Sequence, residues 1–167
     1  MISIIKQFDA RGLKYTFASS IALDSDHKKE YGVSKDKAFY SQINNPSYWQ
    51  ITFPIPVTAQ SYQFRPYRCS DCGHVESWNV SISNENSLKF LQSNSLPSRP
   101  SGAAKFSFQK PVSFRSFRIS RFSFVSVGEF DLFGQIGAIN RATINYGLSK
   151  QKIIRNTIIL MMQLTTC

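Results

Sequence analysis

The segment that most constrains the fold is residues 114–134, FRSFRISRFSFVSVGEFDLFG. Apolar and polar side chains alternate along it with one slip at Arg121, and the apolar positions in its first half are Phe117, Ile119, Phe122 and Phe124. Strict alternation places one face of a strand on a core and the other in water. The aromatic and β-branched content and the bounding Ser and Gly are typical of strands. The segment therefore predicts two strands joined by a turn, which we interpret as a central hairpin.

Other segments show the same pattern and are predicted to be strands: residues 14–20, 48–53, 61–66, 77–83 and 105–109. The side chains expected on their inner faces are Trp49, Ile51, Phe53, Tyr62, Phe64, Trp78, Val80 and Ile82. Residues 39–41 are expected to pair locally, and residues 88–91 to form a short strand or one helical turn. About eight short strands without a strong helix predict an all-β fold, an antiparallel β-sandwich.

Turn and loop signals separate these strands. Pro54 and Pro56 are predicted to end the strand over residues 48–53, because proline cannot donate to a ladder. The NNPS sequence at residues 44–47 predicts a turn. Loops are expected at residues 24–37, 68–76 and 93–102.

The domain organisation follows from where these signals begin and end. Residues 1–14 are interpreted as an N-terminal lead-in, residues 15–137 as one β-sandwich domain and residues 138–167 as a C-terminal extension. The extension contains basic residues and no acidic ones. A short helix over residues 153–164, a linker and a disordered end are all compatible with it.

Composition and charge restrict the partners and the compartment. The formal net charge is +10, but the basic residues are spread along the chain, so a solvated surface is favoured over a polyanion-binding groove. Three cysteines do not form a disulfide framework. The N-terminus lacks a signal peptide, and no apolar run approaches the ~20 residues of a transmembrane helix. The cytoplasm is therefore the default location unless a leader is missing from this sequence.

The motif with the most suggestive chemistry is Cys69-Ser70-Asp71-Cys72-Gly73-His74. Two thiolates and an imidazole can bind zinc, and the pair could also act as a redox dithiol, but unreactive loop cysteines are the favoured interpretation because a fourth ligand and a helix N-terminus are lacking. Glu129 and Asp131 share one face of the last strand, where a polar outer face is favoured over a catalytic pair. With no serine-nucleophile or phosphate-binding motif either, the sequence predicts a protein that is not an enzyme.

The order of these elements resembles the discoidin family, also called the coagulation factor 5/8 type C domain. The matching segments are ASS (18–20), YWQITF (48–53), SYQF (61–64), ESWNVSISNE (76–85), FRSFRI (114–119) and EFDLFG (129–134). Two departures stand out: Leu88 and its neighbours replace a Trp of the family pattern, and Glu85-Asn86 replaces its Asp-Gly turn. The resemblance implies a jelly roll of the galactose-binding-like class that covers about residues 15–137.

The resemblance also implies where a ligand would bind. In such jelly rolls the ligand meets loops at one end of the sandwich, and the residues that these loops carry here are Asp26, His27, Lys28, Tyr31, Tyr67, Arg68 and His74. Aromatic faces stack on sugar rings, while Arg, His and Asp hydrogen-bond hydroxyl groups. A glycan or glycoprotein ligand, as in adhesion or recognition, is therefore the favoured interpretation.

Several alternatives remain open from the sequence. A protein-interaction scaffold without a small ligand is the main one, and nucleic-acid binding is a minor one because the aromatic residues alternate away from the arginines. The loop tips are expected to be polar, which argues against insertion into a bilayer. No cofactor is expected, although Asp24, Asp26 and Asp36 could offer oxygen ligands to calcium in the first long loop.

Overall fold

The computed structural model of the chain describes residues 1–66, 77–84, 87–96 and 102–137. Residues Met1–Gly137 form one compact unit. The Cys69–Cys72–His74 motif, the Glu85-Asn86 turn and the extension over residues 138–167 lie outside the described residues, so the predictions made for them stay predictions.

The described residues form two short helices and seven strands. These are α1 (Ile4–Ala10), β1 (Thr16–Ser19), a 3₁₀-helix (Lys29–Val33), β2 (Ala38–Tyr40), β3 (Asn44–Arg65), β4 (Ser77–Ser83), β5 (Lys89–Ser95), β6 (Ala104–Ser123) and β7 (Ser126–Ile136). Every strand pairing is antiparallel. The predicted all-β class is confirmed, with fewer and longer strands than expected.

The sheet is folded over on itself by its two longest strands. The strand order is β2-β7-β3-β6-β4-β5, with β1 added on β3. The first half of β3 pairs with β1 and β6, and its second half pairs with β6 and β7. The inner faces of the two halves meet, since the Phe130 ring lies 4.8 Å from Trp49 and 5.2 Å from Phe117. The fold is therefore the predicted antiparallel β-sandwich.

The predicted inner faces are confirmed wherever alternation is regular. Trp49, Ile51 and Phe53 on β3 are buried, and so are Trp78, Val80 and Ile82 on β4. Phe117 and Ile119 on β6 are fully buried as well. Past the slip at Arg121 the pattern fails, because the Phe122 side chain is 70% exposed.

The predicted central hairpin is wrong. In the described part of the chain β6 and β7 do not pair with each other, because β3 lies between them in the sheet. The short link through Phe124 and Val125 instead carries the chain from one half of the sandwich to the other. The local sequence predicts both strands but not which strand separates them, because ladder partners far apart in sequence decide the pairing.

Pro54 and Pro56 do not end a strand, contrary to prediction. The chain continues as a single strand, β3, in which the pairing register shifts between Thr52 and Val57. Both prolines lie in this irregular segment with exposed side chains. A proline is tolerated at such a bulge because the ladder needs no N–H donor there.

Other boundaries also differ from those predicted. Residues 44–47 belong to β3 with a register shift rather than to a turn, and β2 pairs with the distant β7 rather than locally. Residues 24–37 contain a 3₁₀-helix, and β5 runs through residues 93–95, which were expected to be loop.

Helix α1 occupies part of the lead-in, for which no structure was predicted. Ser3 caps it by accepting a hydrogen bond at Oγ from the backbone N–H of Lys6, 3.0 Å away. Its apolar side chains Ile4, Ile5 and Phe8 are buried in the core of the sandwich. A hydroxyl cap followed by apolar residues four positions apart is typical of a helix start.

Candidate functional site

Several connections meet at one end of the sandwich, which we call the loop end. The first long loop (residues 20–37) is tied to the β2–β3 link by the Gln42 N–H, which donates to Ile21 O at 2.9 Å. That link is tied to the β6–β7 link by the Ser41 N–H, which donates to Val125 O at 3.0 Å. Arg65, at the end of β3, donates to Lys35 O at 2.7 Å. These contacts therefore bring the first long loop, the β2–β3 link and the distant β6–β7 link together.

The 3₁₀-helix anchors the first long loop to the core. The indole N–H of Trp49 donates to Lys29 O at 2.7 Å. Gly32 is buried against the same ring, where a Cβ atom would come within 2.5 Å of Trp49 Cε2. Because only glycine fits this contact, the position of the loop depends on this residue.

His27 is held in a defined position by Asp24. The Asp24 Oδ1 atom lies 2.7 Å from His27 Nδ1 and also accepts the backbone N–H of Asp26 at 2.8 Å. The hydrogen bond from His27 is the main reason that the pKa of Asp24 is lowered. An ionised carboxylate can only accept, so Nδ1 of His27 carries a proton and Nε2 is left to hydrogen-bond a ligand hydroxyl.

A column of rings lies next to this pair. The His27 ring is 5.5 Å from the Tyr40 ring in an edge-on arrangement, and Tyr40 stacks on Phe124 with centroids 5.5 Å apart. The guanidinium carbon of Arg121 lies 5.5 Å from the Phe124 ring centre on the same column. Tyr40 is buried, whereas Phe124 and His27 are half-buried and reach the surface.

The structure brings together some of the residues that the sequence selected. Asp26 and His27 both hydrogen-bond to the Asp24 carboxylate. Lys28 follows them in the loop and is exposed. Tyr31 contacts Lys37 instead, whose Nζ lies 4.6 Å from the ring centre and 3.4 Å from the hydroxyl. Tyr67, Arg68 and His74 lie outside the described residues and stay predictions.

Two residues beside His27 were not among the predicted ligand contacts: Tyr40 and Phe124. Their contacts join β2 to the end of β6, which are distant in sequence. The only local signal was the slip in alternation at Arg121, which marks the point where β6 leaves the regular sheet.

The loop end is less polar than the sequence suggested. The Ile21 side chain is 66% exposed and the Ile43 side chain 78% exposed. Leu23, whose N–H donates to Tyr40 O, is also exposed. The expectation of polar loop tips is therefore wrong for this end of the sandwich.

Glu129 and Asp131 have structural partners elsewhere in the fold. Glu129 forms an ion pair with Arg65 at 3.3 Å, and Asp131 accepts a hydrogen bond from Ser3 Oγ at 2.8 Å. Both line a cavity of about 440 Å³ beside α1. Burial raises the pKa of Asp131. Both carboxylates therefore have structural partners within the fold.

Within residues 1–66, 77–84, 87–96 and 102–137, no three or more His, Cys, Asp or Glu side chains are grouped to hold a metal ion. The calcium and zinc hypotheses stay predictions. Neither helix described for this chain is long and apolar enough to cross a bilayer.

Comparison with known proteins identifies the fold. No protein-family model matches the sequence, and no curated protein matches it. Solved structures do match. A family 32 carbohydrate-binding module from Clostridium perfringens NanJ, solved with galactose, has a TM-score of 0.62 and 9% identity, over 71% of this chain and 92% of that chain.

Two further matches belong to the same structural class. The F5/8 type C domain of a Bacteroides fragilis protein has a TM-score of 0.62 at 12% identity, over 72% of this chain and 91% of that chain. A fucolectin from striped bass serum has a TM-score of 0.60 at 15% identity, over 74% of this chain and 47% of that chain. The chain therefore has the discoidin-like jelly-roll fold that its motifs suggested.

Proposed function

We propose that this chain is a non-enzymatic carbohydrate-binding module whose ligand binds at the loop end. The observation that carries the proposal is the position of His27, which Asp24 orients at 2.7 Å next to the Tyr40–Phe124 stack. A fixed hydrogen-bonding group beside an aromatic surface matches a pyranose, which has hydroxyls at its rim and an apolar C–H face.

The structural matches support this proposal. Several of the solved structures are carbohydrate-binding modules, and one of these was solved with N-acetylgalactosaminyl-β-1,3-galactose. Fold alone is a weak argument for function, so the proposal depends on the arrangement of His27, Asp24 and Phe124. The predicted contacts Tyr67, Arg68 and His74 are placed by the resemblance in the loop that follows Arg65, which itself contacts the first long loop.

A glycan-array screen of the whole chain tests the proposal. We expect specific binding that His27→Ala reduces by about tenfold or more, since about 1.4 kcal/mol corresponds to a factor of ten. Lys110→Ala, at an exposed position on β6, is the matched control and should bind as the parent does. Folded protein that binds no glycan, or a His27→Ala variant that binds normally, would reject this site.

A protein-interaction role is the second candidate. Exposed Ile21 and Ile43 favour it, because exposed apolar side chains at the same end are typical of protein contacts. Ile43→Ser should leave glycan binding unchanged if the glycan alone is the ligand. A glycoprotein that binds the parent more tightly than its released glycan, with the difference lost in Ile43→Ser, would indicate that both surfaces are used.

A further inference from the structure

A second cavity opens where β4 and β6 separate. The two strands pair from Asn79–Ser120 to Ser83–Ser116. Beyond the Asn79–Ser120 pair their ends enclose a cavity of about 370 Å³. We call it the strand-end cleft, and the lining residues that matter here are Ser77, Asn79, Ser93, Ser120, Arg121 and Phe122. Its size lies in the range of small-molecule sites.

The cleft offers polar groups suited to hydroxylated ligands. Ser93 Oγ donates to Asn79 Oδ1 at 2.7 Å. Among the described residues none accepts from the Asn79 amide N–H groups, which can therefore donate to a ligand. Ser77 and Ser120 add two hydroxyl groups. Each of these can donate or accept, as sugar hydroxyls require.

An exposed aromatic ring lies at the edge of the cleft. Phe122 is 70% exposed although it belongs to β6. A large apolar side chain exposed beside polar groups is typical of a binding surface. The ring can stack on the C–H face of a sugar that occupies the cleft.

Arg121 gives the cleft its charge. Its Nη1 atom is buried and has no hydrogen-bond partner among the described residues. The ion pairs in the same part of the chain, His27–Asp24 and Arg65–Glu129, do not include it. Arg118, three residues earlier on β6, differs because its Nε donates to Gln50 Oε1 at 2.9 Å and it stacks on Tyr48. Because Arg121 lines the cleft, its guanidinium can form charge-assisted hydrogen bonds with an anionic group of a ligand bound there.

We propose that the strand-end cleft binds an acidic sugar, with its carboxylate on Arg121 and its ring on Phe122. This proposal rests on the proposed function, because it takes the ligand of the chain to be a glycan. Arg121 also contacts Phe124 of the loop end, so one oligosaccharide can occupy both sites. A carboxylate is the favoured anion because its two oxygens match the planar guanidinium.

The test is calorimetric titration of the whole chain with a uronic-acid hexasaccharide and with its carboxyl-reduced, neutral counterpart. We expect the acidic ligand to bind about tenfold more tightly. Arg121→Gln should abolish this preference while binding of the neutral ligand remains. Arg115→Gln removes the same charge elsewhere on β6 and should keep the preference. Because Phe122 is exposed, Phe122→Ala should fold normally and weaken binding of both hexasaccharides.

The outcomes separate this cleft from the loop end. His27→Ala should lower affinity without changing the ratio of acidic to neutral binding. A preference that depends on Arg121 without any effect of His27→Ala would retain the cleft and reject the loop-end site. Equal binding of both hexasaccharides, equal effects of Arg121→Gln and Arg115→Gln, or equally tight binding of single-stranded DNA would overturn the cleft proposal.

Discussion

Gly32 lies flat against the indole ring of Trp49, with no space for a side chain between them. This contact joins the loop that carries His27 to the centre of the β-sandwich, because Trp49 is fully buried on β3. The position of the candidate site is therefore coupled to the packing of the core.

Replacing Gly32 with alanine should displace the first long loop. A Cβ atom would clash with the ring of Trp49, and overpacking of this kind costs about 1–3 kcal/mol. We expect a lower free energy of unfolding in urea and weaker glycan binding. Gly102→Ala is the control, since a Cβ there meets no atom of the described residues within 4 Å. Equal stability of the two variants would contradict the packing described here.

The hydroxyl of Tyr62 should contribute to stability as an acceptor. It receives the Trp78 indole N–H at 3.0 Å and the Asn94 amide at 2.9 Å. Tyr62→Phe leaves the buried Trp78 donor without a partner, which costs about 1–3 kcal/mol. Tyr15→Phe removes a hydroxyl that contacts the exposed Asp9 and should cost less. Thermal unfolding of both variants measures the difference, and a larger loss in Tyr15→Phe would refute the assignment.

Asp131 should make stability depend on pH. Burial raises the pKa of Asp131, so the folded protein binds a proton at this carboxylate more tightly than the unfolded chain does. Stability is therefore lost as the pH rises from the ordinary Asp pKa of about 4 through the raised value. Asp131→Asn should remove this loss, whereas Asp36→Asn at an exposed position should not. Identical slopes of unfolding free energy against pH in all three proteins would contradict the expectation.

Asp24 should act on binding through His27. Asp24→Asn keeps the size of the side chain but weakens the hydrogen bond that fixes Nδ1. We expect glycan affinity to fall about three- to tenfold while the unfolding temperature changes little, because Asp24 is exposed. The double variant Asp24→Asn/His27→Ala should bind glycan as weakly as His27→Ala alone, and no more weakly. Independent, additive losses would show that Asp24 contacts the ligand itself.

The sequence predicted the inner faces of the strands because alternation is a local property. Trp49 and Ile51 on β3, like Phe117 and Ile119 on β6, follow a period of two that neighbouring residues are enough to define. Strand ends were less predictable. Pro54 lacks a backbone N–H, which ends a strand only where the ladder needs that donor. The register shift after Thr52 means that no donor is needed at Pro54.

The candidate site could be predicted only in part. The sequence predicts His27 as a ligand contact from its loop and Asp24 only as a metal ligand, although an Asp three residues before a His can also contact its ring. The stack of Tyr40 on Phe124 could not be predicted, because it depends on how β2 and the end of β6 are placed by the sheet. By contrast, the sequence does contain a signal for α1, because Ser3 is a typical helix cap and Ile4 and Phe8 are apolar residues four positions apart.

The most direct test of the account is an NMR titration of ¹⁵N-labelled protein with galactose and N-acetylgalactosaminyl-β-1,3-galactose. We expect the backbone amides of Asp24, His27 and Phe124 to shift, and the amides near Pro54, at the other end of the sandwich, to stay unchanged. Saturable binding that shifts only amides away from the loop end would contradict the assigned site. A chain that remains folded and shows no shifts with these sugars or with any glycan from the array would contradict carbohydrate binding itself.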